Sequence, residues 1–194
     1  MARLIAGGVV MAALIAAAIL ITKQADESRS TLPVLGQVGP FEFVQQTGGT
    51  FGLSNLKGNI AVVDFIFTRC TGPCPVMSAA MAELYTAFEG SNKVQFISIT
   101  VDPEYDSVDV LNRYAQSFGV VDDRWVFLRG PMEEIKRISE NDFMLAADDL
   151  PAGHSTRFVL VDENGQIRGY YSGVDNASVN VLKSHIRELV KKLS

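Results

Sequence analysis

The stretch that most limits the fold is residues 59–67, an unbroken apolar run in which Asp64 is the one charged side chain. A strand with one wet face alternates apolar and polar residues; a continuous run of this length marks a strand buried on both faces, as in a sheet covered by helices. The segments after it fit that setting. Residues 75–88 have helical periodicity, with a proline near the start, where the first turn tolerates it. Residues 94–101 read as a second buried strand ending at Asp102-Pro103, 107–118 as a helix, 125–128 as a short strand and 132–141 as a helix. Residues 157–162 and 166–172 pair across Glu163-Asn164-Gly165 as a hairpin. Residues 178–193 form a closing amphipathic helix whose basic last turn complements its dipole. Upstream, Phe41-Glu42-Phe43-Val44 and Thr50-Phe51-Gly52-Leu53 flank Thr47-Gly48-Gly49 as another hairpin. A helix after each buried strand implies parallel pairing with right-handed crossovers, and the late hairpin adds antiparallel strands. The expected fold is α/β: a three-layer α/β/α sandwich on a mixed sheet, with an N-terminal β-hairpin.

Ahead of this domain, residues 4–21 carry no charge, with Arg3 before them and Lys23, Asp26, Glu27 and Arg29 after. Eighteen such residues reach the lower end of the roughly 17–25 that span a bilayer as a helix. A cleaved signal has a shorter apolar region and a small-x-small site after it. Here Ala16-Ala17-Ala18 lies inside the run, so an uncleaved anchor is the preferred reading. The expected division is a transmembrane anchor at 1–22, a tether at 23–32 and the folded domain at 33–194. Arg3 and the terminal amine weakly place the N-terminus in the cytoplasm. The run starts too early for a mitochondrial transit peptide. A single-pass protein of the bacterial inner membrane, with its soluble domain in the periplasm, fits best. The net charge of −5, without a basic stripe, argues against a nucleic-acid partner.

The two cysteines stand four apart in Thr68-Arg69-Cys70-Thr71-Gly72-Pro73-Cys74-Pro75, on the expected loop between strand and helix. Open sheets place their sites at this end of a strand. The first amides and the dipole of the following helix favour thiolate there, so lowered thiol pKa values are expected. Two readings stand: a redox dithiol, or two soft ligands for a metal. An oxidising compartment is compatible with a disulfide and does not separate them.

Other ligand candidates are few. His154 lies in Leu150-Pro151-Ala152-Gly153-His154-Ser155-Thr156, immediately before a strand expected to neighbour the cysteine-bearing one. His185 lies among Lys183, Ser184 and Arg187 on the last helix, an ordinary place for a solvated or capping residue. Two thiolates and one imidazole suit Cu(I), with room for a fourth ligand on Cu(II). Structural zinc would want four protein ligands. Met77 and Met81 read as core fillers, Asp102-Pro103 as a turn ending the strand, and Asp64 as a buried acid that either orients the site or bonds the backbone.

Val63-Asp64-Phe65-Ile66-Phe67-Thr68-Arg69-Cys70-Thr71-Gly72-Pro73-Cys74-Pro75 resembles the signature of the Sco/SenC family, thioredoxin-fold copper proteins that serve cytochrome c oxidase assembly. Ser98-Ile99-Thr100-Val101-Asp102-Pro103-Glu104-Tyr105-Asp106 resembles its second signature. Gly153-His154-Ser155-Thr156, ahead of Asp162-Glu163-Asn164-Gly165, resembles its histidine loop, and Arg113-Tyr114-Ala115-Gln116-Ser117-Phe118 falls where the family has an aromatic-bearing helix. The likeness covers roughly residues 33–192. It implies a thioredoxin-like fold, copper held by Cys70, Cys74 and His154, and a domain facing the periplasm or its mitochondrial equivalent. One departure is Arg69, where many members carry histidine; a cation there favours thiolate at Cys70 and bears on partner preference.

The leading reading is a copper chaperone that supplies the dinuclear copper (CuA) site of an oxidase subunit, with a periplasmic copper donor upstream; whether the chain is also an enzyme stays open, because the fold resemblance supports thiol-disulfide exchange as well. The alternative is a thiol-disulfide reductase, served by a thioredoxin-like reductant, that keeps the oxidase cysteines reduced for another carrier; Cys70 and Cys74 would then be its redox pair. The Cys-x-x-x-Cys spacing, against the Cys-x-x-C of thioredoxins, favours metal, as do Ser155 and Thr156 where thioredoxins have a cis-proline. A peroxidase reading rests on Thr71-Gly72-Pro73-Cys74 but lacks the proline four positions before the threonine, where Phe67 stands.

Overall fold

The computed structural model describes residues 32–147 and 149–193. After a short edge strand β1 (Gly36–Gln37), the hairpin β2 (Glu42–Gln45) and β3 (Thr50–Gly52) leads through one turn of helix, α1 (Leu53–Leu56), into β4 (Ile60–Ile66). Then come α2 (Pro73–Ala87), β5 (Val94–Thr100), α3 (Val108–Ser117), β6 (Trp125–Arg129) and α4 (Met132–Arg137). A wider π-helical turn (Ile138–Asp142) continues α4. The chain closes with β7 (Arg157–Val161), β8 (Gln166–Ser172) and α5 (Asn176–Lys192).

All eight strands join one sheet, in the order β1-β8-β7-β4-β5-β6-β2-β3. β4, β5 and β6 run parallel, and every other neighbour is antiparallel. Every residue of β4 is buried, because β5 and β7 flank it and helices cover both faces. Ile60, Val62 and Ile66 pack with α2, α3 and α5 on one face. Ala61, Val63 and Phe65 pack with Ile135, Ile138 and Phe143 on the other. Asp64 shares the parity of the first set and so faces the layer that carries α2. The three-layer arrangement expected from the sequence is therefore present.

Several elements differ from expectation, among them α1, which takes Leu53 from the expected strand, and α5, which starts two residues early at Asn176. α2 starts at Pro73, two residues early, with Gly72 as its N-cap, so Cys74 sits in the first helical turn and not on the loop. The helix after β6 is regular only to Arg137 before it widens. β1 pairs with β8 through only two residues, too few to register as a pattern in sequence. The anchor and nearly all of the tether lie outside the described residues. Among the described residues, no helix is long and apolar enough to cross a membrane.

Candidate metal centre

Three loops meet at the C-terminal ends of β4 and β5. β4 continues through Phe67 and Thr68 to Cys70, and β5 continues into the turn at 102–106. β7 begins just after His154. β4 and β7 are directly paired and antiparallel, with Val63 opposite Val159, so the end of one lies beside the start of the other. That pairing carries His154 across 80 positions to Cys74, with Nε2 3.2 Å from Sγ. One ligand atom each from Cys70, Cys74 and His154 lie within 4.8 Å of one another, an arrangement that could hold a metal ion.

The imidazole is set for ligation. Its Nδ1 lies 3.1 Å from the carbonyl oxygen of Ser155. A carbonyl only accepts, so Nδ1 carries the proton and Nε2 presents its lone pair toward the sulfur. Burial holds the imidazole below its ordinary pKa, favouring this neutral form. The ring of Phe67 packs edge-on against it at 5.4 Å.

The two thiols differ. Cys70 is partly exposed and accepts from the Gly72 amide at 3.4 Å, whereas Cys74 is fully buried. Burial pushes the Cys74 thiol up to about 12; the backbone at Phe67 pulls it down and the neighbouring Cys70 sulfur adds to the rise. The lowered value expected from the helix terminus does not hold at Cys74. A helix end contributes about 0.3–1 kcal/mol, whereas full burial moves a pKa by as much as about 3–5 units at about 1.4 kcal/mol each. Cys74 is a neutral thiol until a metal or a partner sulfur takes the place of its proton.

The surrounding side chains divide into supports and bystanders. Asp64 is fully buried, and neither carboxylate oxygen has a hydrogen-bond partner. Burial raises its pKa to about 7, and the nearby Ser98 hydroxyl, which opposes the rise, closes no bond on it. Asp64 therefore does not bond the backbone. Asp102 does more than end a strand: it accepts from Arg69 Nε at 2.6 Å, and its amide donates to Thr100 Oγ1. Met77 and Met81 are core residues. His185 accepts or donates at Nδ1 with the Tyr171 hydroxyl, 2.6 Å away, and is not part of the cysteine group. The histidine loop does contain a cis peptide, at Leu150–Pro151.

Asp106 is the residue that sequence reasoning did not single out. Fully buried, it accepts from the Thr68 amide at 3.2 Å and from the hydroxyls of Thr68 and Thr100. It thereby ties the segment just before Cys70 to the end of β5. The only trace in sequence is its place in the run from Asp102 to Asp106. Replacing Asp106 with alanine strands a backbone amide and two hydroxyls, and is expected to cost about 3–4 kcal/mol in urea unfolding.

The sequence profile of the SCO1/SenC family covers residues 32–191. The chain belongs to that family. A SCO1 protein homolog of Bacillus subtilis is 34% identical over 162 residues, covering 80% of this chain and 83% of that protein. The structure of BsSco, described as a member of the Sco family of cytochrome c oxidase assembly proteins with a disulfide switch, superposes with a TM-score of 0.74. It is 32% identical and covers 84% of this chain and 99% of BsSco. Yeast Sco1 with copper bound gives a TM-score of 0.63 at 25% identity, over 80% of this chain and 90% of that one. The mixed sheet and flanking helices are thus the thioredoxin-like Sco fold.

Proposed function

We propose that this SCO1/SenC protein is a membrane-anchored copper chaperone that carries copper on Cys70, Cys74 and His154 to the CuA site of cytochrome c oxidase. The observation that carries this reading is the convergence of two sulfurs and an imidazole nitrogen within 4.8 Å. The donor set fits the cargo: thiolates and a neutral imidazole select Cu(I), and among the described residues the group has three members, one short of the four protein ligands usual in structural zinc. Copper bound to yeast Sco1 and the oxidase-assembly role named for BsSco support the same reading. Residues 4–21 would anchor the chain in the bacterial inner membrane with the domain in the periplasm, where a copper donor and a thioredoxin-like reductant would meet it.

In this reading each residue has a task. The Ser155 carbonyl fixes the tautomer that leaves Nε2 free, Phe67 holds the ring edge-on, and Asp106 braces the Cys70 loop. Cys70, the more exposed thiol, meets the partner first, and buried Cys74 shields the inner side. Copper would arrive by displacing the Cys74 proton and leave by exchange onto the partner's sulfurs. Anaerobic titration of the reduced chain with Cu(I) should give one ion per chain. His154→Ala should weaken binding by at least about 10- to 100-fold, the loss seen when only an outer-shell partner of a ligating histidine is removed. Unchanged affinity in that variant would rule out the three-ligand arrangement.

The alternative, a reductase acting on the oxidase cysteines, draws on the pairing of a partly exposed thiol with a buried one, which suits attack followed by resolution. Fast reduction of an oxidised CuA fragment by the copper-free chain would move the weight to it.

A further inference from the structure

Arg69 stands immediately before the exposed cysteine and is held in a fixed pose. Its Nε donates to Asp102 at 2.6 Å, and its Cζ lies 4.9 Å from the centroid of the Tyr105 ring. Asp102 is in turn fixed from below, since its amide donates to Thr100 Oγ1 and the Asp106 amide donates to its carbonyl. The Arg69 side chain is still 56% exposed, and among the described residues its two Nη groups make no hydrogen bond. Asp102 thus takes one of five guanidinium donors, leaving the outward fork that matches a carboxylate. Positioning by stacking and an Nε bond reduces the rotamer entropy such a contact would otherwise cost. Tyr105 is itself exposed and adds apolar surface beside the guanidinium.

We propose that Arg69 is a partner-recognition residue: its free guanidinium fork binds a carboxylate side chain flanking the cysteine that an incoming protein brings to Cys70. The proposal rests on Cys70 being the thiol that meets the partner, but not on the identity of the metal.

The test uses the full-length reduced chain in detergent and two synthetic peptides, Gly-Asp-Cys-Asp-Gly and Gly-Asn-Cys-Asn-Gly, each capped and carrying a 2-pyridyl disulfide. The Cys70 thiolate attacks the peptide sulfur, the bond to the pyridyl sulfur breaks, and 2-thiopyridone leaves with a proton and is read by its absorbance. Cys74 then gives up its proton and attacks Cys70 Sγ, forming the Cys70–Cys74 disulfide and releasing the peptide thiol. The protein dithiol is oxidised and the pyridyl disulfide reduced. Each rate is divided by that of the same peptide with 2-mercaptoethanol, which removes the peptides' intrinsic difference.

At low salt the acidic peptide is expected to react about fivefold faster, the effect of one well-placed exposed pair. The ratio should fall to about one in 0.5 M salt and in Arg69→Gln. Arg69→Lys should restore about twofold, keeping charge without the planar fork. Because a changed Cys70 reactivity or a loosened loop affects both peptides alike, the ratio isolates the carboxylate. A ratio near one in the native chain, or one that survives in Arg69→Gln, overturns the proposal. A chain that reacts with neither peptide overturns both it and the reading of Cys70 as the thiol that meets the partner.

Discussion

Cys74→Ser is expected to abolish useful Cu(I) binding, lowering affinity on the order of 10²- to 10³-fold. Structural zinc sites with four ligands provide about 10–16 kcal/mol, so one thiolate is worth roughly 2.5–4 kcal/mol. Serine supplies a hard, protonated oxygen that Cu(I) disfavours. His154 loses the sulfur 3.2 Å from its Nε2 in the same change. The Cys74 thiol, raised to about 12 by burial, also dictates a pH signature. Copper must displace that proton, so affinity should rise about tenfold per pH unit for each proton released across the neutral range. Competition against a chromophoric Cu(I) chelator under anaerobic conditions measures both effects. A Cys74→Ser chain binding within tenfold of the native one would remove Cys74 from the ligand set.

Asp64→Asn is expected to stabilise the folded chain at pH 8 by about 2–4 kcal/mol and to flatten its pH dependence. The carboxyl titrates near 3.8 in the unfolded chain and near 7 in the folded one. Below 3.8 both states hold the proton and the fold has its full stability. Between 3.8 and 7 the unfolded state releases the proton while the folded state keeps it, so stability falls by as much as about 1.4 kcal/mol per pH unit. Above 7 the charge is buried without a partner, and the loss is complete at about 4 kcal/mol. An asparagine is uncharged throughout and removes that slope. Urea unfolding of both chains from pH 4 to 8 gives two curves that converge in acid and separate toward pH 8; parallel curves would place the carboxyl in a paired environment instead.

The order of strands and helices was legible because each buried strand is a continuous apolar run and each helix has its own period. The site was legible for a different reason: with two cysteines and two histidines in the chain, few combinations exist. Distinguishing His154 from His185 needed only the inference that one precedes a strand beside β4, which the β4–β7 pairing bears out. What stayed hidden depends on contacts remote in sequence. Asp106 acts through Thr68, 38 positions away, and no local pattern marks that bond. The Cys74 pKa reverses expectation because the helix begins at Pro73 and turns the sulfur into the core, a matter of two residues in a boundary. The unpaired state of Asp64 likewise depends on how far Ser98, across the β4–β5 ladder, stands from it.

The bond from His154 Nδ1 to Ser155 has a consequence for how this site tolerates change. Its acceptor is a main-chain oxygen, present whatever side chain stands at 155. Elsewhere a histidine's tautomer is often set by a neighbouring carboxylate, and one substitution can reset it. Here the setting is inherited from the path of the backbone, so the side chain at 155 can change while the nitrogen that faces the sulfur stays the same.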